Sequence, residues 1–208
     1  MDGETVRPDE ADGKSDRIRP EWEDAVRKLA DAFVRTWKEE GTWGNYLHVE
    51  TGKVAVFNTT SGAMAVGGLA LAAEYFSRPE YLEVAEQAAS DLYRQFAITG
   101  FTSGGCGDIL QNSDSETAAA LMTSLTTLYE KTGKSGYLRQ AQDLAHLCAS
   151  WTVSFDYRLP DDTPLAQLGA NLTGAVWANT QNKHGAPGFC TQSGDALFKL
   201  YRATGDTL

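Results

Sequence analysis

The sequence predicts an all-α fold, an incomplete α/α toroid of helical hairpins with six main helices. Three observations carry this. Amphipathic helical patterns with one charged side alternate with patterns of small, nearly uncharged residues, which need cover all round. Tyr81, Leu82, Ala85, Ala88, Ala89 and Leu92 return as Tyr137, Leu138, Ala141, Leu144, Ala145 and Cys148, a constant offset of 56. Short turns follow the small-residue helices and long loops follow the amphipathic ones.

Residues 1–19 mix Asp, Glu, Lys, Arg and Gly with almost nothing apolar, the composition of a disordered arm before a domain at 20–208. The first helix starts near Pro20, whose missing N–H is harmless in a first turn, and runs to about Glu40. Trp22, Val26, Leu29, Phe33 and Trp37 fall on one stripe. Residues 41–60 form a long loop with room for a hairpin around Glu50-Thr51-Gly52-Lys53. The second helix, Ser61 to Phe76, carries no charge before Glu74. Each of its interior glycines costs about 1 kcal/mol against Ala, which suits a site of close helix approach. The third spans Pro79 to Thr99.

The fourth helix, Thr117 to Tyr129, contains no charged residue. The turn Lys131-Thr132-Gly133-Lys134-Ser135-Gly136 joins it to the fifth, Tyr137 to Phe155, with Arg139, Asp143 and His146 on the wet side. A long loop, Asp156 to Cys190, follows, with room for a short helix at Leu165 to Leu168 or near Val176. The sixth helix runs from Ser193 to Thr204. If the small-residue helices line the ring, the three long loops share one face with those helices' N-termini. Unbonded N–H groups and the positive dipole end there favour carboxylates and oxygen-rich ligands.

Composition excludes several classes. A chain of 208 residues builds one domain with a proper core. No run reaches the roughly 18 apolar residues of a membrane span. A net charge of −10 argues against nucleic acid. The three cysteines, Cys106, Cys148 and Cys190, form no C-x-x-C and no even-numbered framework, so free thiols are expected. The polar N-terminus shows no secretory signal, which points to the cytoplasm and leaves the sequons at Asn58 and Asn171 without meaning. His48, His146 and His184 lack metal-ligand spacing, and no P-loop, dinucleotide fingerprint or G-x-S-x-G occurs. Neither metal nor cofactor is expected.

The turns Leu200-Tyr-Arg-Ala-Thr-Gly-Asp206 and Tyr137-Leu138-x-x-Ala141 resemble those of the six-hairpin glycosidase superfamily, whose fold is an (α/α)6 toroid. The segments Gln111-Asn-Ser-Asp-Ser-Glu116 and Gln181-Asn-Lys-His-Gly-Ala-Pro187 are similar to those of its uronic-acid-directed glycoside hydrolases. The turn motif covers most of the chain but is generic to helical repeats, whereas the loop motifs are sharper and short. The resemblance implies carboxylate acid/base hydrolysis of uronic-acid-containing glycans. It also implies a fragment, because a complete ring of this kind needs twice as many helices. Exposed toroid edges could then support self-association.

Hydrolysis of a glycosidic bond needs two carboxyl groups roughly 5 to 9.5 Å apart. The best candidates are Asp114 and Glu116 at the mouth of the fourth helix. Their spacing does not straddle a sugar, so one must pair with an acid from another loop, such as Asp108, Asp156 or Asp195. Ser113-Asp114-Ser115-Glu116 reads equally as a capping box closed by Ser113 and Glu116. Asp108 sits in the Gly-rich loop 100–108, which either approaches a ligand or simply turns into the helix. Asp195 reads as a helix-dipole residue. His184, with Arg158 and Lys183, either holds a uronate carboxylate or is a surface histidine; Gln111, Asn112, Tyr157 and Asn182 are further substrate-binding candidates, Trp43 and His48 with Tyr46 offer a stacking surface, and Trp177 is either a stacking ring or core. A polysaccharide lyase, with Tyr157 shuttling the proton and Arg158, Asn182 or His184 neutralising the substrate carboxylate, is the alternative enzyme. A helical-repeat binding scaffold is the non-enzyme alternative.

Overall fold

The computed structural model describes residues 19–105, 112–181, 185 and 194–206. Its fold is all-α. The helices are α1 (Pro20–Glu40), α2 (Ala63–Tyr75), α3 (Pro79–Gln95), α4 (Ser115–Thr132), α5 (Ser135–Ser150), the short α6 (Pro164–Gln167) and α7 (Asp195–Thr204). A two-stranded antiparallel hairpin, β1 (Tyr46–Leu47) and β2 (Val54–Val56), interrupts the first long loop where the turn residues predict it.

The helices form two rows. In the inner row α2 packs on α4 and α4 on α7; in the outer row α1 neighbours α3, and α3 and α5 are tied by hydrogen bonds. Each inner helix rests on the outer helix that follows it, α2 on α3 and α4 on α5. Sequence explains the division. Ala118 to Met122, Ser124 to Leu128 and Thr117 of α4 are all buried, as its charge-free run from Thr117 to Tyr129 requires. Inner-row contact is backbone-close: Ser124 Oγ accepts from the Gly67 N–H at 3.0 Å and donates to the Ala63 carbonyl at 2.7 Å. A Cβ on Gly67 would lie 3.2 Å from the Ser124 Cα, which is why that position carries none.

The outer row repeats a polar device as well as a packing pattern. Tyr81 donates its hydroxyl to Asp31 of α1, and Arg78 lies 3.7 Å from the same carboxylate. One repeat later Tyr137 donates to Glu86 of α3, and Lys134 pairs with that carboxylate. Burial, then Glu86, pushes the Tyr137 phenol up to about 12, so it stays a donor. Cys148, a free thiol of α5, is pushed up to about 12 by burial and is unreactive at neutral pH.

Several boundaries differ from the sequence reading. The third helix ends at Gln95, and the stretch to Thr99 is a separate 3-10 turn, Ala97–Thr99, closed by left-handed Gly100. The fourth extends to Ser115–Thr132, stopped by left-handed Gly133. The fifth ends at Ser150 instead of Phe155, because the chain then leaves to pair with a later loop. On α1 the buried side is Ala30, Val34 and Trp37, whereas Trp22, Val26 and Leu29 are exposed. No helix among the described residues is long and apolar enough to cross a membrane.

Candidate functional site

The three long loops meet over the N-termini of α2 and α4, at the end of the molecule opposite the short turns. Thr60, before α2, takes its N–H to the Ser103 carbonyl at 3.0 Å, and its hydroxyl lies 2.8 Å from both that carbonyl and the Thr117 hydroxyl of α4. Thr59 adds a second side-chain bond to the Ser103 carbonyl. In the second loop, the Asp114 N–H donates to the Thr102 carbonyl, whose residue returns a hydroxyl bond to the Asp114 carbonyl. The third loop folds back on itself, Val153 to Ala175 and Trp177 to Trp151, then runs antiparallel to the start of α4. There the Ser115 N–H reaches the Ala178 carbonyl, the Thr180 N–H reaches the Ser113 carbonyl, and Asn112 donates to Gln181 at 2.6 Å.

Close approach of the first two loops depends on Gly104. Its φ of 99° is left-handed, and a Cβ there would stand 2.2 Å from the Thr59 hydroxyl.

Asp114 is the hub of this lacing. It is the N-cap of α4: Oδ1 accepts from the Thr117 N–H at 2.7 Å and the Thr117 hydroxyl at 2.8 Å, while Oδ2 accepts from the Gly105 N–H at 2.9 Å. Its exposure is 0%. Burial raises its carboxyl above the ordinary range, against the bonds from Thr117 and Gly105, and nearby Glu116 adds to the rise. Two corrections follow. The cap is Asp114, so the capping box expected between Ser113 and Glu116 does not form. And Asp114, expected to meet substrate, has both oxygens engaged inside the protein; it is a positioning residue for the mouth of α4. Glu116, freed from capping, sits half-buried on the first turn of α4.

Trp43 is a third correction. Its indole is 6% exposed, packs on Phe33 and Trp37, and donates Nε1–H to the Phe33 carbonyl at 2.8 Å, so it is core and cannot stack on a sugar. Proximity in sequence to an exposed hairpin gave no information on which way the ring points. His48 does stand exposed, at the tip side of that hairpin, where its backbone pairs with Lys53. Trp177 is 37% exposed on the loop segment bridged to the start of α4, more open than a core tryptophan.

Tyr157 and Arg158 are exposed on the excursion between Ser154 and Thr173, with Tyr157 against Phe155 at a 4.8 Å ring separation. Asp156, weighed as a second acid, instead braces that excursion: one oxygen accepts from the Leu172 and Thr173 N–H groups and the Thr173 hydroxyl. The Thr173 backbone bond foremost holds its carboxyl below the usual range. Asp195 is exposed in the first turn of α7 beside Lys199, the helix-terminal placement that its sequence position suggests. Asp108, Gln111, Asn182 and His184 lie outside the described residues.

The residues that sequence reasoning missed are Thr60, Thr102, Ser103, Thr117 and Asn179, all buried polar groups under the loops. Thr60 and Thr117 had a signal in the Ser/Thr residues at the starts of α2 and α4, where such side chains satisfy orphan N–H groups; Thr102, Ser103 and Asn179 lie in loops with no such position to mark them. Among the described residues no group of three or more His, Cys, Asp or Glu side chains is placed to hold a metal. Compared with protein-family models and with curated proteins, the chain matches none.

Proposed function

We propose that this chain belongs to a glycoside hydrolase acting on uronic-acid-containing oligo- or polysaccharides, with Glu116 as its acid/base carboxylate. The observation that carries the reading is the convergence of three polar loops over two inner-helix N-termini, with a half-buried carboxylate on the first turn of one of them. Backbone N–H groups and dipole ends at such a mouth favour a uronate carboxylate. Asn112 and Gln181 supply polar groups, and Trp177 an apolar ring four residues before Gln181 on the same loop segment, a combination suited to a sugar. Asp108, four positions before Asn112 in the sequence, is the acid proposed as second carboxylate. In this reading Asp114 holds the second loop against the start of α4 through Gly105, Thr102 and Thr117 without touching substrate.

The test is turnover of acidic oligosaccharides by wild type, Glu116→Gln and Asp114→Asn. Loss of the acid/base group lowers kcat by 10²–10⁴-fold, whereas Asp114→Asn lowers stability first. Survival of activity in Glu116→Gln with a product absorbing in the ultraviolet identifies a lyase instead. A binding scaffold is the second reading, favoured by the exposed apolar groove between α1 and α2. It is supported if acidic sugars neither turn over nor raise the melting temperature.

A further inference from the structure

A line of hydroxyls runs beneath the loop face from the mouth of α4 to the start of α2. Asp114 Oδ1 lies 2.8 Å from the Thr117 hydroxyl, and that hydroxyl 2.8 Å from the Thr60 hydroxyl. The Thr60 hydroxyl lies 2.8 Å from the Ser103 carbonyl and receives the Ser103 N–H at 2.7 Å. Asp114, Thr117, Thr60 and Ser103 are all buried, so these groups have to satisfy one another. Each hydroxyl has one hydrogen to give and two lone pairs with which to receive. A line that starts at a carboxyl and ends at a carbonyl can therefore point in either of two directions.

With Asp114 ionised, the carboxylate can only accept. Thr117 gives its hydrogen to Oδ1 and Thr60 gives its own to Thr117. The Ser103 carbonyl then keeps two donors, the Thr60 N–H and the Thr59 hydroxyl. With Asp114 protonated at Oδ1, the carboxyl must donate, and the hydroxyl beside that oxygen is that of Thr117. Thr117 in turn gives to Thr60, and Thr60 gives to the Ser103 carbonyl, which gains a third donor. The change needs one proton taken from water at Asp114 and rotation about two Cβ–Oγ bonds; each hydroxyl keeps its own hydrogen. Alignment along the line strengthens each bond in it, which favours reversal as a unit over a broken pattern.

We infer that Asp114, Thr117 and Thr60 form a pH-sensitive relay whose direction reverses when Asp114 ionises, releasing one of the bonds that tie the second loop to the start of α2. The segments packed around Asp114, residues 59–62, 100–105 and 177–181, hold no ionisable side chain. Among the described residues the charge acting on it is Glu116 of its own helix. Burial, the larger influence, lifts the carboxyl above the ordinary range, and the reversal falls where it titrates. The second loop is held more firmly below that point and less firmly above it, the sign expected of a raised acid. The relay is independent of the hydrolase reading, since it works in the protein without sugar.

The experiment is a pH titration of backbone amide NMR signals in wild type, Thr117→Val, Thr117→Ser and Glu116→Gln. Gly105, whose N–H sits on Asp114 Oδ2, reports the carboxyl directly, and Ser103, whose N–H sits on Thr60 Oγ, reports the far end of the relay. In wild type both amide protons are expected to move downfield as pH rises, with one common midpoint above the ordinary carboxylate range. Thr117→Val keeps the N–H that caps α4 but removes the middle hydroxyl, so Gly105 should still titrate while Ser103 goes flat. Thr117→Ser should restore the Ser103 titration, and Glu116→Gln should retain it. A Ser103 amide that is flat in wild type would overturn the inference. So would a Ser103 titration that persists in Thr117→Val, which assigns it to loop movement, or one that vanishes in Glu116→Gln. Loss of helix content in Thr117→Val, read by far-UV circular dichroism, moves the comparison to Thr60→Val, with the same two outcomes. If neither variant folds, the wild-type titration of Ser103 decides alone.

Discussion

A buried aspartate with every oxygen engaged is a structural investment with a measurable pH signature. Asp114→Ala removes the α4 cap and strands the Thr117 and Gly105 donors, so it is expected to cost about 1–2 kcal/mol in urea unfolding. The carboxyl's folded-state pKa lies above the unfolded value because of burial. A raised acid binds its proton more readily when folded, so its contribution is complete below the ordinary carboxylate range. It is lost as pH rises through the raised value. Wild type should therefore lose stability relative to Asp114→Asn across that window, and a pH-independent difference would refute the assignment. Asp114 shows how far sequence reaches at a single position. That it stands at the mouth of a helix was legible from the uncharged run that follows. That it, and not Ser113, caps the helix was not, because adjacent residues compete for one N–H and only the loop's path decides. Trp43 failed for the same reason: a loop tryptophan has no periodicity to say which side of it is wet.

Helices were legible wherever period and composition agreed. The alternation of charged and small-residue helices fixed which row each joins, and left-handed Gly41, Gly100 and Gly133 end their helices at glycines visible in the sequence. Hidden from that reading was the side of each helix left without a neighbour, since Trp22, Val26 and Leu29 have the pattern of a buried stripe. Adjacent glycines on α2 separate close packing from mere tolerance. Gly67→Ala drives a methyl into Ser124 and is expected to destabilise by about 1–3 kcal/mol. Gly68→Ala meets nothing and should stabilise by up to about 1 kcal/mol through helix propensity. Thermal unfolding of the pair checks the opposite signs. In the outer row, Tyr81→Phe and Tyr137→Phe remove equivalent hydroxyl bonds in successive repeats and should each cost about 1 kcal/mol. A loss at only one of them would break the repeat's equivalence.

The molecule as a whole is two rows of helices whose long loops are sewn together at one end. Segments of three separate connections reach that end, and Thr60, Asp114 and Ser115 hold them there through Ser103, Gly105 and Ala178. Sequence repeats implied that the loops share a face; the hydroxyl lacing that locks them had no single motif to announce it. Everything proposed about sugar recognition depends on this end being the ligand face. Backbone amide NMR during titration with a uronic-acid oligosaccharide tests it most directly. Shifts concentrated at Asn112 to Glu116 and Trp177 to Gln181, and weakened in Glu116→Gln, are the expected result. Shifts confined to the α1/α2 groove, or none at millimolar sugar, would contradict it.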